Sequence, residues 1–427
     1  MNIKIKSRKR IYGEITVPGD KSISHRALMF LSMANGRSEV SGLSSSQDVQ
    51  STLKCLKNLG VEIYRTSDRI IVTGQGLHGL KEPQIILDAG NSGTTMRLLS
   101  GILAGQLFES CITGDSSLKK RPMRRIIEPL GRMGAKIFGK EDQFAPILIR
   151  PSQLQGMTHE LEIASAQVKS CILLAGLFAR GWTTVIEPTK SRDHTEKLLE
   201  YMGADIKIKE NYVSVHGFSS LKPVQIQIPG DISSAAFFIV AASIVPDSKL
   251  VIKNVGVNPT RTGIIDVLNK MNGNIKIENL RIWNNEEVAD IVVTSSQLKN
   301  MEINVEIIPR IIDEIPILAI AAIQARGEML IKGARELRVK ESDRIHATVA
   351  NLKRMGAVVE ELPDGMVIRG NQQLKGAEID SFGDHRIAMA FAVAGLVANG
   401  ETIIRNAECV NISFPDFFQQ LEAISHD

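Results

Sequence analysis

The pattern of apolar and polar positions falls into pairs of contrasting helices. Six stretches are apolar almost all round and rich in small residues, and a short polar elbow opens each one. They read DKSISHRALMFLSMA from Asp20, NSGTTMRLLSGILAG from Asn91, SAQVKSCILLAGLFA from Ser165, DISSAAFFIVAASI from Asp231, DEIPILAIAAIQA from Asp313 and DHRIAMAFAVAGLVA from Asp384. A helix that is apolar on every side has to be buried, and Ala, Gly and Ser let such helices approach closely. A second series interleaves with the first: LKNLGVEI from Leu56, LGRMGAKI from Leu130, LEYMGADI from Leu199, LNKMNGNI from Leu268 and LKRMGAVV from Leu352, with a shortened sixth copy at Leu421. These read as charged amphipathic helices closed by a glycine C-cap and followed by a strand. Two independent patterns sharing a period of about 70 residues predict internal repetition. Each of six units reads strand, elbow, apolar helix, strand, amphipathic helix, strand. One buried helix per unit gives two cores of three units each.

The boundary between the cores is written into the chain. VPGDKSIS at Val17–Ser24 resembles IPGDISSA at Ile228–Ala235. Both are a strand, a Pro-Gly turn, an aspartate and small polar residues. If the chain crosses between domains at both points, residues 20–229 form one domain. Residues 1–19 then complete a second, discontinuous domain with 230–427. Paired crossings would make a hinge, with an active cleft between the domains.

Composition narrows the function. Fifty-one basic and 47 acidic residues leave a net charge of +4, which does not suggest a nucleic-acid or membrane protein. Four scattered cysteines fit reduced thiols in the cytoplasm. No signal-peptide core is present, and no apolar run approaches the roughly 18 residues that span a bilayer. The histidines show no metal-ligand spacing and there is no Cys/His cluster, so neither a metal nor another cofactor is expected. Gly74-Gln75-Gly76-Leu77-His78-Gly79 matches GxGxxG, but Pro83 and a strand follow where a dinucleotide site needs a helix; a hairpin loop is expected instead.

The candidate chemistry lies at the elbows. A helix start carries unpaired N–H groups and the positive end of the dipole, so it suits an anion. Lys21, Ser22 and Arg26 sit at the first elbow, and Asn91, Gly93, Thr94 and Arg97 at the second. Arg121 precedes an expected helix of Ile126–Met133, and Ser165 and Gln167 open the third apolar helix. Ser191 and Arg192 form another polar turn. Lys340 and Arg344, four apart, would share one helical face, while Arg386 opens the last buried helix. Capped turns and solvated charges give the same local patterns, and adjacent Asp313-Glu314 reads first as capping and dipole partners. Taken together, the basic residues call for a ligand with several negative charges, phosphate plus carboxylate. Asp313, Glu341 and His385 would supply proton transfer.

From about Ile11 to the end, the motifs PGDKSISHR, GNSGTTMR, KRPMRR, SAQVKS, SRDH, DEIP, RVKESDR, GDHRIAMA and SFPDF occur in this order. The ordered set resembles the 5-enolpyruvylshikimate-3-phosphate synthase family, and DEIP and SRDH are like its second bacterial class. The resemblance implies an α/β (α+β) fold of two inverse α/β barrels, each of three βαβαββ units. It implies transfer of the carboxyvinyl group of phosphoenolpyruvate to the 5-hydroxyl of shikimate 3-phosphate, with small-molecule partners only and a monomeric enzyme. Shikimate 3-phosphate contacts would then be Lys21, Ser22, Arg26, Ser165, Gln167, Ser191, Arg192, Asp313 and Lys340. Phosphoenolpyruvate contacts would be Lys21, Asn91, Gly93, Thr94, Arg121, Gln167, Arg344 and Arg386. The catalytic set would be Lys21, Asp313, Glu341 and His385. Gly93 in the family leaves room for glyphosate. Two features depart from many members: Ser165-Ala166 replaces a pair of serines, and no lysine precedes Ser413-Phe414. Two other readings compete. The sister transferase acting on UDP-N-acetylglucosamine has Lys-Asn near its N-terminus and a loop cysteine, whereas here Lys21-Ser22 stands and Cys111 lies in a strand-like context. A non-catalytic anion-binding protein would not need Asp313, Glu341 and His385 together.

Overall fold

A helix begins at every polar elbow. The computed structural model describes residues 1–427, and the six apolar stretches form α1 (Lys21–Met33), α2 (Gly93–Leu103), α3 (Ala166–Gly176), α4 (Ile232–Ile244), α5 (Ile315–Gln324) and α6 (His385–Gly395). Five are capped by the side chain just before them. Asp20, Ser92, Ser165, Asp231 and Asp384 each accept a hydrogen bond from a backbone N–H of the first turn. Helix α5 is the exception: Glu314 holds the cap position without capping, and Pro316 presets the first turn. The expectation that Asp313 and Glu314 act as caps is therefore corrected. Both side chains pair with other groups.

The charged helices alternate with these: Gln47–Asn58, Arg124–Arg132, His194–Tyr201, Gly263–Lys270, Arg344–Arg354 and Phe417–Ala423. Gly60 closes the first at φ 81°, and Asn272 fills the same place at φ 72° after the fourth, where the sequence reads MNG. Three expectations shift. The helix expected from Ile126 begins at Arg124 and takes two arginines into its first turn. Lys340 is extended, just past a 3-10 turn at Arg335–Val339, and the next helix starts only at Arg344. The two therefore do not share a helical face, because Asp343 caps the helix between them. The stretch after Gly74 is not a hairpin loop, since Arg69–Gln75 and Leu87–Asp88 belong to different sheets.

The chain divides into two units. The first comprises Met1–Pro18, Pro229–Arg281 and Glu287–Asp427, and the second Gly19–Ile228 with Ile282–Glu286. In the second unit α1, α2 and α3 form the centre of one hydrophobic core. A Cβ on Gly101 would stand 2.3 Å from the Cys171 carbonyl oxygen, so α2 and α3 touch backbone to backbone. Three four-stranded sheets surround them, each with one parallel pair and two antiparallel ones. Leu87–Asp88, Ser110–Thr113, Phe144–Arg150 and Lys136–Lys140 are an example, in that order. A different sheet shows what the crossings do. Its parallel strand, Gln225–Gln227 beside Asn35–Ser41, comes from just before α4. The strand just before α1, Arg10–Thr16, pairs instead with Lys249–Gly256 of the first unit. The two lead strands are exchanged at the Pro-Gly turns.

The first unit repeats the plan around α4, α5 and α6. Phe237 and Phe238 of α4 pack on Phe414 and Phe417, so the SFPDF stretch serves the core here. Ile3–Ile5 adds antiparallel to Thr402–Arg405, in the place where the shortened sixth repeat has no strand of its own. Each unit is thus built on three βαβαββ-type repeats with helices inside and sheets outside, an inverse α/β barrel. In the first unit the sheets have five, three and three strands, because the fifth repeat keeps only the bridge Glu302–Leu330 for its lead strand and the sixth is shortened.

Candidate functional site

In the second unit hydrogen bonds tie the starts of α1, α2 and α3 together. Gln167, in the first turn of α3, donates to Thr94 Oγ1 of α2 at 2.9 Å and accepts from Arg97 Nη1 at 2.6 Å. Arg121 donates to Asn91 Oδ1 at 2.8 Å, and Asn91 in turn donates to Asp115. Gly93 sits among these groups. A Cβ there would lie 2.9 Å from Arg97 Nη1 and 3.5 Å from Arg121 Nη1. A helix start with glycine as its first residue, flanked by two guanidiniums, is a place for an anion.

Lys21 is the first residue of α1, and its Nζ meets Asp48 Oδ2 at 2.7 Å. Arg26, one turn further on, is 2% exposed. Its Nε donates to Thr195 Oγ1, Nη1 to the Ser22 carbonyl and Nη2 to Ser170 Oγ, at 2.7, 2.9 and 2.8 Å. It therefore also braces the Ser22 turn against α3 and the helix of His194–Tyr201. Behind it runs a buried chain of hydroxyls: His25 Nδ1 to Thr52, Thr52 to Thr95, and Thr95 to Ser92, each at 2.7 Å. Burial, then the charges of Lys21 and Arg26, hold the His25 pKa well below its ordinary value, so the ring is neutral.

Ser191 is buried, and its N–H donates to Glu187 Oε2 at 3.3 Å. Arg192, half-buried, follows in the same turn. Glu187 and Glu196 share the ammonium of Lys169 at 2.7 and 2.6 Å, with all three side chains at most 4% exposed. Burial works to lower the Lys169 pKa, but the two carboxylates outweigh it and the lysine stays charged. Burial raises Glu196 even beside that lysine. Ser165 caps α3.

In the first unit the centre is Arg344, which is 1% exposed. Its Nε donates to Asp384 Oδ2 at 2.8 Å, Nη1 to Asp313 Oδ1 at 3.2 Å and Nη2 to Glu341 Oε2 at 2.6 Å. Lys340 Nζ lies 3.6 Å from Asp313 Oδ1. Arg386, in the first turn of α6, donates to the Asp313 carbonyl at 3.1 Å. Burial works to raise the Asp384 carboxyl, yet Arg344 and His385 outweigh it and its pKa lies below the ordinary value. Asp384 is thereby a fixed negative anchor for Arg344. His385 is 1% exposed, and its charge helps to lower the pKa of its neighbour Asp384.

The structure brings the expected residues into one cluster per unit. Lys21, Ser22, Arg26, Asn91, Gly93, Thr94, Arg121, Ser165, Gln167, Ser191 and Arg192 belong to the second unit; Asp313, Lys340, Glu341, Arg344, His385 and Arg386 belong to the first. Sequence reasoning missed Asp48, the Lys169 triad and the anchoring role of Asp384. One signal was available. Lys169 is the single charge inside the apolar run SAQVKSCILLAG, and a lysine buried there needs carboxylate partners.

Comparison with known proteins identifies the family. The family model described as EPSP synthase (3-phosphoshikimate 1-carboxyvinyltransferase) matches residues 5–421. A 3-phosphoshikimate 1-carboxyvinyltransferase from Thermoanaerobacter sp. (strain X514) is 51% identical over 424 residues, which is 99% of this chain and 100% of that protein. Another from Bacillus thuringiensis (strain Al Hakam) is 51% identical over 97% of this chain and 96% of its own length. A solved EPSP synthase from Acinetobacter baumannii superposes with a TM-score of 0.89 at 44% identity, covering 99% of this chain and 98% of that one. With full-length identity at this level and the family's repeated fold, the chain belongs to the EPSP synthase (3-phosphoshikimate 1-carboxyvinyltransferase) family.

Proposed function

We propose residue roles for the family's reaction, transfer of the carboxyvinyl group of phosphoenolpyruvate to the 5-hydroxyl of shikimate 3-phosphate with release of phosphate. Addition to an enol phosphate needs a base at the incoming hydroxyl and an acid at the methylene carbon. Asp313 accepts the hydroxyl proton as that oxygen attacks the central carbon of phosphoenolpyruvate. Glu341 gives a proton to the methylene carbon, making a methyl group and a tetrahedral adduct. It then takes a proton back from that methyl as the C–O bond to phosphate breaks, and Lys21 protonates the departing phosphate. Shikimate 3-phosphate is held by Lys21, Ser22, Arg26, Ser165, Gln167, Ser191 and Arg192, with Asp313 and Lys340. Phosphoenolpyruvate is held by Lys21, Asn91, Gly93, Thr94, Arg121 and Gln167, with Arg344 and Arg386.

One observation carries this reading. A single buried guanidinium, Arg344, binds Asp313 at 3.2 Å and Glu341 at 2.6 Å, so the base and the acid are held by one group. A cation that orients both carboxylates and is itself fixed by Asp384 provides the preorganisation the two proton transfers need, a proximity effect of roughly several kcal/mol. The test is turnover in deuterium oxide. The wild type places deuterium in the methylene group of the product, because the methyl stage mixes solvent and substrate hydrogens. Glu341→Gln is expected to lose both turnover and this exchange. Exchange at the wild-type rate in Glu341→Gln would remove Glu341 from the proposed role.

A further inference from the structure

The proposed mechanism uses Asp313 and leaves its neighbour Glu314 without a part, although Glu314 is the more deeply buried at 1% exposure. It does not cap α5. Its Oε1 accepts a hydrogen bond from Ser233 Oγ and lies 3.7 Å from Arg386 Nη1, while Oε2 has no hydrogen-bond partner. Ser233 is itself fixed. Arg261 Nη2 donates to its Oγ at 2.9 Å and to Asp231 Oδ1 at 3.1 Å, and Asp231 caps α4. A run of buried polar groups therefore passes from the cap of α4 through Arg261, Ser233 and Glu314 to Arg386 at the start of α6.

An isolated carboxylate in such a place is costly, and a buried one is kept only beside a counter-charge. For Glu314 that counter-charge is Arg386. The Asp313 carboxylate is shared: its Oδ1 bonds Arg344 at 3.2 Å, its Oδ2 stands 3.8 Å from Arg386 Nη2, and its backbone carbonyl accepts from Arg386 Nη1 at 3.1 Å. The carbonyl and Glu314 face Nη1 while Asp313 Oδ2 faces Nη2, which fixes the Nη1–Nη2 edge of the planar guanidinium and leaves the Nε–Nη2 edge. A guanidinium held along one edge presents the other in a set direction, as two-pronged recognition of a carboxylate or phosphate requires.

We infer that Glu314 is a positioning residue for phosphoenolpyruvate: it orients Arg386 and is itself oriented by Ser233 and Arg261. The inference rests on the reading of Arg386 as a phosphoenolpyruvate contact. Steady-state kinetics of Glu314→Gln, Arg386→Lys and the double variant separate the two. Glu314→Gln is expected to raise KM for phosphoenolpyruvate about tenfold, the scale of a hydrogen bond or contact to a charged group. KM for shikimate 3-phosphate and kcat stay within about twofold, since only one substrate's binding is touched. On the Arg386→Lys background the same change adds nothing, because both act through one group. If Arg386→Lys leaves KM for phosphoenolpyruvate unchanged, the reading of Arg386 fails and this inference with it. If Arg386→Lys raises that KM and Glu314→Gln does not, or raises both KM values alike, the inference alone is overturned. Should Glu314→Gln not fold, Ser233→Ala removes the hydroxyl that orients Glu314 and must raise KM for phosphoenolpyruvate selectively; an unchanged value overturns the inference.

Discussion

Replacing Arg344 with methionine keeps much of its length and apolar stem and removes the charge. The loss is not the sum of three ion pairs. Asp313 and Glu341 have side chains that are 13% and 19% exposed, so water can take over part of what Arg344 gave them. Asp384 is fully buried; it loses Arg344 at 2.8 and 3.4 Å and keeps Ser342 Oγ, the Arg386 N–H and the weaker charge of its neighbour His385. The cost is therefore set mainly by one stranded carboxylate, about 3–5 kcal/mol, the scale for breaking a buried pair. Urea unfolding at neutral pH, followed by circular dichroism, measures it. Adding Asp384→Asn should restore most of the stability, since no charge is left stranded, while turnover stays lost. The loss should also shrink in acid. In the wild type the Asp384 pKa lies below its ordinary value of 3.8, so its contribution is complete above that pH and falls away below it. Without Arg344, burial raises that pKa instead, so the variant is relatively more stable at low pH and weakens as pH rises. A loss below about 1 kcal/mol, typical of an exposed pair, or no recovery in the double variant, refutes the assignment of Asp384 as the anchor.

Other outcomes follow from the same geometry. Lys21→Ala is expected to abolish turnover and to cost about 1–3 kcal/mol in urea unfolding, because it leaves Asp48 without its cation, and Asp48→Asn should recover the stability but not the activity. Lys169→Met strands Glu187 and Glu196 and should destabilise by about 3–5 kcal/mol, with a rise in KM for shikimate 3-phosphate if the Ser191 turn loosens. Burial, with Arg132 nearby, lowers the His159 pKa to about 4, and His25 is lowered as well. The unfolded chain therefore binds more protons, and thermal stability should fall as pH drops from 6.5 toward 4; His159→Gln should flatten that slope.

The starts of the inner helices were legible because capping is local. A serine or aspartate before an apolar run states its own chemistry, and Asp20, Ser165, Asp231 and Asp384 all cap where the pattern put them. Helix α5 was misread because DEIP has the same composition as a cap, and only tertiary contacts turn both acids toward Arg344, Ser233 and Arg386. The four-residue spacing of Lys340 and Arg344 misled for a related reason. It suggests a shared helical face, but Asp343 caps the helix after Lys340, so the spacing crosses a helix boundary. The partners of the candidate residues could not be read at all. Arg26 with Thr195, Lys21 with Asp48 and Gln167 with Arg97 join positions between 27 and 169 residues apart. The exchange of lead strands lay between these extremes. The echo of VPGD in IPGD was visible, but the pairing of Arg10–Thr16 with Lys249–Gly256 is a property of the sheet.

Phosphate release is the most direct test of the account. The purified chain is mixed with phosphoenolpyruvate and either shikimate 3-phosphate or UDP-N-acetylglucosamine, and inorganic phosphate is followed over time. Release that requires shikimate 3-phosphate, equals the enolpyruvyl product formed and is absent with the nucleotide sugar is the predicted result; no release with shikimate 3-phosphate would contradict it.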